Sequence, residues 1–232
     1  MLYLLFMVPA LLLALYAQWR VSSAYRQYSQ VRNAHNMTGL DVARVLMRNE
    51  GLEHVRIEQI PGDLTDHYDP RDKVMRLSAG SSQTPSVAAM AVVAHELGHA
   101  KQDSEGYAWL RLRSGIVGIA NIGSNFGWML VMIGMVMGAL AGSRFGYTIA
   151  LAGVVLMSAA VAFALVTLPV ELNASARARD MLARNGLVTV QESQGVSTVL
   201  NAAALTYIAA AAQAVLQLFY WITVLSGARR NG

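Results

Sequence analysis

The sequence predicts a mainly α-helical membrane protein with four transmembrane helices and one small water-facing α+β domain. Three observations lead there. Of 232 residues, 55% are apolar and 14% charged, against about 45–50% and about 25% in an average soluble domain, and the mean hydropathy is +0.39. Four apolar runs, at 2–19, 115–141, 147–169 and 199–225, approach or exceed the roughly 20 helical residues that cross a hydrocarbon core of about 30 Å. The charges collect between the first and second runs and between the third and fourth: residues 20–114 carry 12 basic and 11 acidic groups, and 170–198 carry three of each.

This division yields an N-terminal transmembrane helix (1–19), a main domain (20–114), a transmembrane hairpin (115–169), a helix returning to the domain (170–198), and a C-terminal transmembrane helix with its tail (199–232). The chain has no cysteine, which excludes disulfide scaffolds, thiolate zinc sites, iron–sulfur clusters and cysteine nucleophiles. The net charge is +4, yet the polar stretches are nearly neutral, and the surplus is Arg144, Arg229 and Arg230 beside apolar runs. No basic face for a nucleic acid results.

The first run contains Pro9 and lacks a basic segment before it, while Arg20, Arg26 and Arg32 follow it. It reads as a retained anchor, with a cleaved signal peptide as the competing reading. Thr38 before Gly39, Leu40 and Asp41 is a helix start, and Gly51 fits the stop, so a helix spans about 38–50. Val55–Ile60 and Lys73–Leu77 alternate apolar with polar residues around Pro61, Gly62 and Asp63, which reads as short antiparallel strands. Thr84 caps and Pro85 opens a helix that runs to about Gln102. In the second run Gly134, Gly138 and Gly142 form a small-residue stripe that admits a close neighbour, and the linker Ser143–Gly146 forces an antiparallel hairpin. Asn121 and Asn125 in the same run are placed to bond across helices. A second helical stretch begins at Glu171 and stops at Asn185-Gly186.

The helix at 85–102 carries His95-Glu96-Leu97-Gly98-His99, an HExxH pattern. Residues four apart share a helical face, so both imidazoles can reach one ion while Glu96, about 100° round, reaches a water on it. Catalytic zinc sites use three protein ligands and keep one position for water. With no thiols, the third ligand must be His, Asp or Glu. Glu171 stands out because it follows Pro169 at the end of the third run, where a carboxylate at the bilayer edge is costly without a partner. Metal ligation would remove that cost; pairing with Arg177 or solvation by headgroups would also do so. His67, in the Asp66-His-Tyr-Asp69 segment, is a weaker candidate for contact with substrate or transition state. Asn173, Ser175 and Tyr207 are candidate donors around a ligand.

The stretches Leu64-Thr-Asp-His-Tyr-Asp-Pro70, His95-Glu-Leu-Gly-His-Ala100, Leu168-Pro-Val-Glu-Leu-Asn-Ala-Ser175 and Leu200-Asn-Ala-Ala-Ala-Leu-Thr-Tyr207 resemble the YugP-like neutral zinc metallopeptidases of bacterial membranes. The resemblance spans nearly the whole chain. It implies a Glu-zincin with a zincin-like α+β metalloprotease domain, one zinc ion held by His95, His99 and Glu171, and Glu96 as the base. The chain is more distantly similar to the HtpX-like membrane proteases, which commonly carry Asp four residues after the ligand Glu, where this chain has Ser175.

The expected activity is a membrane-integrated zinc endopeptidase acting on membrane-associated or unfolded polypeptides near the membrane surface, in protein quality control. An edge strand around 73–77 would pair with an extended substrate. The expected partners are a polypeptide substrate and the lipid bilayer, with membrane-protein partners or a homo-oligomer left open. An alternative is a non-catalytic zinc-stabilised scaffold or adaptor, against which Glu96 argues, since a structural site needs no base. An intramembrane protease is disfavoured because Lys101, Gln102, Asp103 and Glu105 directly follow the motif. Of the 18 Lys and Arg residues, 15 lie on the side of the main domain, with Arg20, Arg26, Arg111, Arg113, Arg177 and Arg179 close to entry points. That bias predicts a cytoplasmic domain on a bacterial inner membrane, with Arg229 and Arg230 as contrary charges.

Overall fold

The structure, a computed structural model, describes residues 1–141 and 144–230. It is mostly helical, with a three-stranded sheet, and four helices are long and apolar enough to cross a membrane. These are α1 (Leu2–Ser29), α5 (Ala108–Ala141), α6 (Arg144–Arg184) and α7 (Val190–Arg230). Each outruns its apolar run and continues as helix into polar sequence. Pro169 lies inside α6, so the expected break between the third crossing and the helix carrying Glu171 is absent. Proline keeps a helical φ but loses a backbone donor and crowds the carbonyl four residues back, and the residues on either side continue as helix past it.

The described residues fall into two compact units. One comprises Met1–Tyr16, Leu112–Leu168 and Tyr207–Gly232, the other Ala17–Arg111 and Pro169–Thr206. In the first, large apolar side chains such as Leu11, Leu15, Phe126, Val155 and Phe219 are exposed, as lipid-facing residues are. Its α5–α6 pair is built on backbone contact: a Cβ on Gly134 would lie 2.3 Å from the Ala150 nitrogen, and one on Gly123 would lie 2.3 Å from the Leu156 oxygen. The contacts advance along α6 as they retreat along α5, so the two helices are antiparallel. Gly134 and Gly138 both meet Gly146, whereas Gly142 and Ser143 lie outside the described residues. The amide nitrogen of Asn125 donates to the Asn121 carbonyl of its own helix, so this side chain does not bridge helices as the sequence suggested.

The second unit holds α2 (Gly39–Glu50), β1 (Arg56–Ile60), β2 (His67–Asp69), β3 (Val74–Ser78), α3 (Ala79–Gln83) and α4 (Val87–Ser104). Thr38 and Asp41 form a full capping box on α2, and Gly51 closes the helix at φ 69°. The sheet order is β1-β3-β2. β1 runs parallel to β3, with Arg56 beside Val74 and Ile60 beside Ser78, and β2 is antiparallel to β3, with His67 beside Arg76. Two expectations are corrected by this. The two stretches read as antiparallel strands, 55–60 and 73–77, run parallel, because β2 intervenes and carries the chain back before β3 begins. The strand at 74–78 is central, so it has no free edge for a substrate. Asp66 secures the crossing: its carboxylate accepts from the Ser78 backbone N–H at 2.7 Å and from the Ser81 hydroxyl at 2.9 Å.

Thr84 does not cap α4. Ser86 does, its hydroxyl accepting from the Ala89 N–H, because residues 84–86 are held extended by the segment after α1. The Asn33 N–H donates to the Pro85 carbonyl and the Val87 N–H to the Val31 carbonyl. α4 itself is the core of the unit. Met90, Val93, Ala94 and Leu97 are fully buried against Leu46 of α2, Met75 and Leu77 of β3, and Met181 and Leu182 of α6. Removing water from a side chain of this size stabilises by about 1.5–3 kcal/mol, so packing on every side sets where this helix lies.

Candidate metal centre

His95 and His99 are one helical turn apart on α4, and their rings stand nearly perpendicular with centroids 4.8 Å apart. Glu171 reaches them from α6, with its Oε2 3.2 Å from His95 Nε2 and 3.4 Å from His99 Nε2. One ligand atom from each of the three lies within 4.8 Å of the others. The carboxylate is 3% exposed, and the imidazoles are 12% and 10% exposed. A carboxylate so far from water is costly unless a positive partner compensates it. Arg177, the pairing alternative that the sequence offered, instead binds Glu105 and Asn173.

The approach of α6 to α4 depends on Gly98, in the middle of the motif. A Cβ there would lie 2.5 Å from the Ala174 carbonyl oxygen, so only hydrogen fits. Ala174 is on the turn after Glu171, and this backbone contact brings the carboxylate within reach of both rings. Glu96 is 8% exposed and follows His95 on the same helix, turned from the shared face of the histidines by about 100°.

The outer nitrogens of both rings are engaged as well. His99 Nδ1 lies 3.0 Å from Gln102 Oε1, and His95 Nδ1 lies 3.2 Å from the Ser175 hydroxyl. Burial opposes charge on His99, but hydrogen bonding to Glu171 and the charges of Glu171 and Glu96 outweigh it and hold its pKa above the usual histidine value. The site therefore favours positive charge between rings and carboxylate.

Zinc suits this donor set. Bonds of about 2.0–2.1 Å at tetrahedral angles put ligand atoms about 3.3 Å apart, and the carboxylate oxygen stands at 3.2 and 3.4 Å from the two ring nitrogens. Two imidazoles and a carboxylate with an open fourth position form the ligand class of catalytic zinc.

Residues 3–226 match the family described as "Putative neutral zinc metallopeptidase". The chain belongs to that family. This metallopeptidase relative is 39% identical over 229 residues to "Putative membrane protease YugP" of Bacillus subtilis (strain 168), a match covering 99% of each chain. No solved structure matches it. Membership implies zinc and supports a protease acting on polypeptides, and the four apolar helices agree with a membrane protein.

The structure brings His95, His99 and Glu171 together, with Ser175 on one ring. His67 is not in this group: it is exposed at the start of β2, and its Nδ1 faces the Thr65 carbonyl at 2.9 Å. Asn173 touches Gln102 and Arg177 rather than a ring. Gln102 was missed by sequence reasoning, which saw only a polar residue at a helix end. Its position three residues after His99, on the same face, was the available signal.

Proposed function

We propose that this chain is a membrane-integrated zinc endopeptidase of the Glu-zincin type, with one zinc ion held by His95, His99 and Glu171 and with Glu96 as general base. The observation that carries the reading is the convergence of a buried carboxylate from α6 on the two imidazoles of an HExxH helix, at 3.2 and 3.4 Å. His95, His99 and Glu171 would hold the ion, which when bound would supply Lewis-acid polarisation of a scissile carbonyl and activation of a water at neutral pH. Glu96 accepts the proton of the attacking water and delivers it to the leaving amine. No side chain becomes covalently attached to the substrate.

Substrates are membrane-associated or unfolded polypeptides cleaved near the membrane surface, in protein quality control. Chain order supports this, because Glu171 follows the third apolar run by two positions. β2, rather than the central β3, is the strand for an extended substrate: it stands at the edge of the sheet and packs against α4, where main-chain pairing suits unfolded segments. The basic residues near the ends of the apolar runs support a domain on the cytoplasmic side of a bacterial inner membrane.

Glu96→Gln tests the reading. The variant should bind zinc as the parent does and lose cleavage of an unfolded protein by about 100-fold or more, as removal of a general base does. Undiminished proteolysis by the pure variant rejects the mechanism. Zinc binding without cleavage in the parent, tested over membrane proteins and unfolded substrates, favours the scaffold alternative.

A further inference from the structure

We propose that Gln102 is a positioning residue that holds His99 in its Nδ1–H tautomer, so that Nε2 presents a lone pair to the metal position. The inference deepens the zinc reading of the site and rests on it. A chain of donors and acceptors links Arg177 to His99, and its direction is set at both ends. Arg177 can only donate; its Nη1 binds Glu105 at 2.6 Å, and its Nε binds Asn173 Oδ1 at 2.7 Å. Asn173 therefore turns its oxygen, not its nitrogen, toward the guanidinium.

That oxygen is 3.0 Å from Gln102 Nε2, and the backbone carbonyl of Val170 is 2.8 Å from the same atom. Both partners accept, so the amide nitrogen must face them, and both its hydrogens are used. Gln102 Oε1 is then fixed toward His99 Nδ1 at 3.0 Å. An amide oxygen only accepts, which requires a hydrogen on Nδ1. A neutral imidazole carries one N–H, so Nε2 is a lone pair facing the Glu171 carboxylate at 3.4 Å. Two acceptors in that relation repel each other unless a cation lies between them.

Gln102 is fully buried, so water does not take over its role readily. The other ring is held differently. His95 Nδ1 faces a hydroxyl, Ser175 Oγ at 3.2 Å, which donates or accepts equally well and imposes no tautomer. One ligand is locked and its companion is adjustable. Val170 and Asn173 flank Glu171 on α6, so the same amide that sets the His99 tautomer also ties α4 to the turn bearing the third ligand.

Two variants of the full chain in detergent separate these roles. Gln102→Met keeps the volume and removes both the acceptor and the tie. Gln102→Glu keeps an acceptor for His99 Nδ1 and loses the donors to Val170 and Asn173. Zinc affinity, read by competition with a chromophoric chelator, should fall about 10–100-fold in Gln102→Met, the usual cost of an outer partner of a metal ligand, and fall less in Gln102→Glu, which keeps the acceptor for His99 Nδ1. Parent-like affinity in Gln102→Met, or equal losses in both variants, overturns the assignment. A second readout needs no zinc: two-bond ¹H–¹⁵N spectra of histidine-labelled, metal-free Glu171→Ala, which lacks the carboxylate that competes for a hydrogen on Nε2, should show His99 protonated at Nδ1 above the histidine titration. An Nε2–H signal overturns the proposal. If the parent binds no zinc, the zinc reading fails by itself, and the spectrum still decides the tautomer.

Discussion

Replacing Gly98 with alanine probes the contact that lets α6 deliver Glu171 to the histidines. The new Cβ would stand 2.5 Å from the Ala174 oxygen and 3.1 Å from its carbonyl carbon, whereas ordinary contact begins at about 3.4 Å. Both atoms are backbone, so no side chain can swing aside, and α6 must retreat by about 0.9 Å from α4. Metal sites tolerate ligand displacements of about 0.2 Å, a quarter of that movement. Alanine in a helix gains about 1 kcal/mol over glycine, while overpacking costs about 1–3 kcal/mol, so fold stability changes little and metal affinity is the discriminating quantity. Chelator competition on the detergent-solubilised chain should show zinc binding weakened at least about tenfold, by analogy with lesions around metal ligands. Gly118→Ala is the control, since a Cβ there meets nothing within 4 Å. Unchanged zinc affinity in Gly98→Ala, with the control also silent, would refute the claim that helix contact positions the third ligand.

Other outcomes follow from the same geometry. Glu171→Ala should lower bound zinc per chain by metal analysis, and full stoichiometry would remove this residue from the ligand set. His67→Ala should leave zinc affinity as in the parent, because its ring faces the Thr65 carbonyl; a loss of affinity would contradict that placement. Thr38→Ala should cost about 1 kcal/mol by thermal melting, the usual price of an N-cap. Hydrogen bonds from the Thr38 hydroxyl and backbone hold the Asp41 pKa below its ordinary value. A depressed acid stabilises the fold above its unfolded pKa and loses that contribution as pH falls through the folded one. The gap between parent and Thr38→Ala should therefore narrow below about pH 4, and a gap that widens in acid would refute the capping account.

Local and periodic features were legible in the chain itself. The capping box at Thr38 and the stop at Gly51 appear where the residues indicate, because their hydrogen bonds close within four residues. The four apolar runs became long helices for a similar reason, since lipid requires each to satisfy its backbone internally. The cap of α4 was misread because Thr84 and Ser86 are both favoured cap residues two positions apart. What decided between them was the pairing of 84–86 with the distant Val31–Asn33 segment.

The sequence by itself determined which side chains could bind a metal: two histidines at helical spacing, a glutamate between them, and no thiols. Only the tertiary structure brought Glu171 to those histidines and set Gln102 against one of the rings. It also put β3 at the centre of the sheet. The physical reason is range. Helical periodicity and capping are written in neighbouring residues, whereas the meeting of α4 and α6 joins positions 76 residues apart and depends on packing around α4 and on the missing side chain of Gly98.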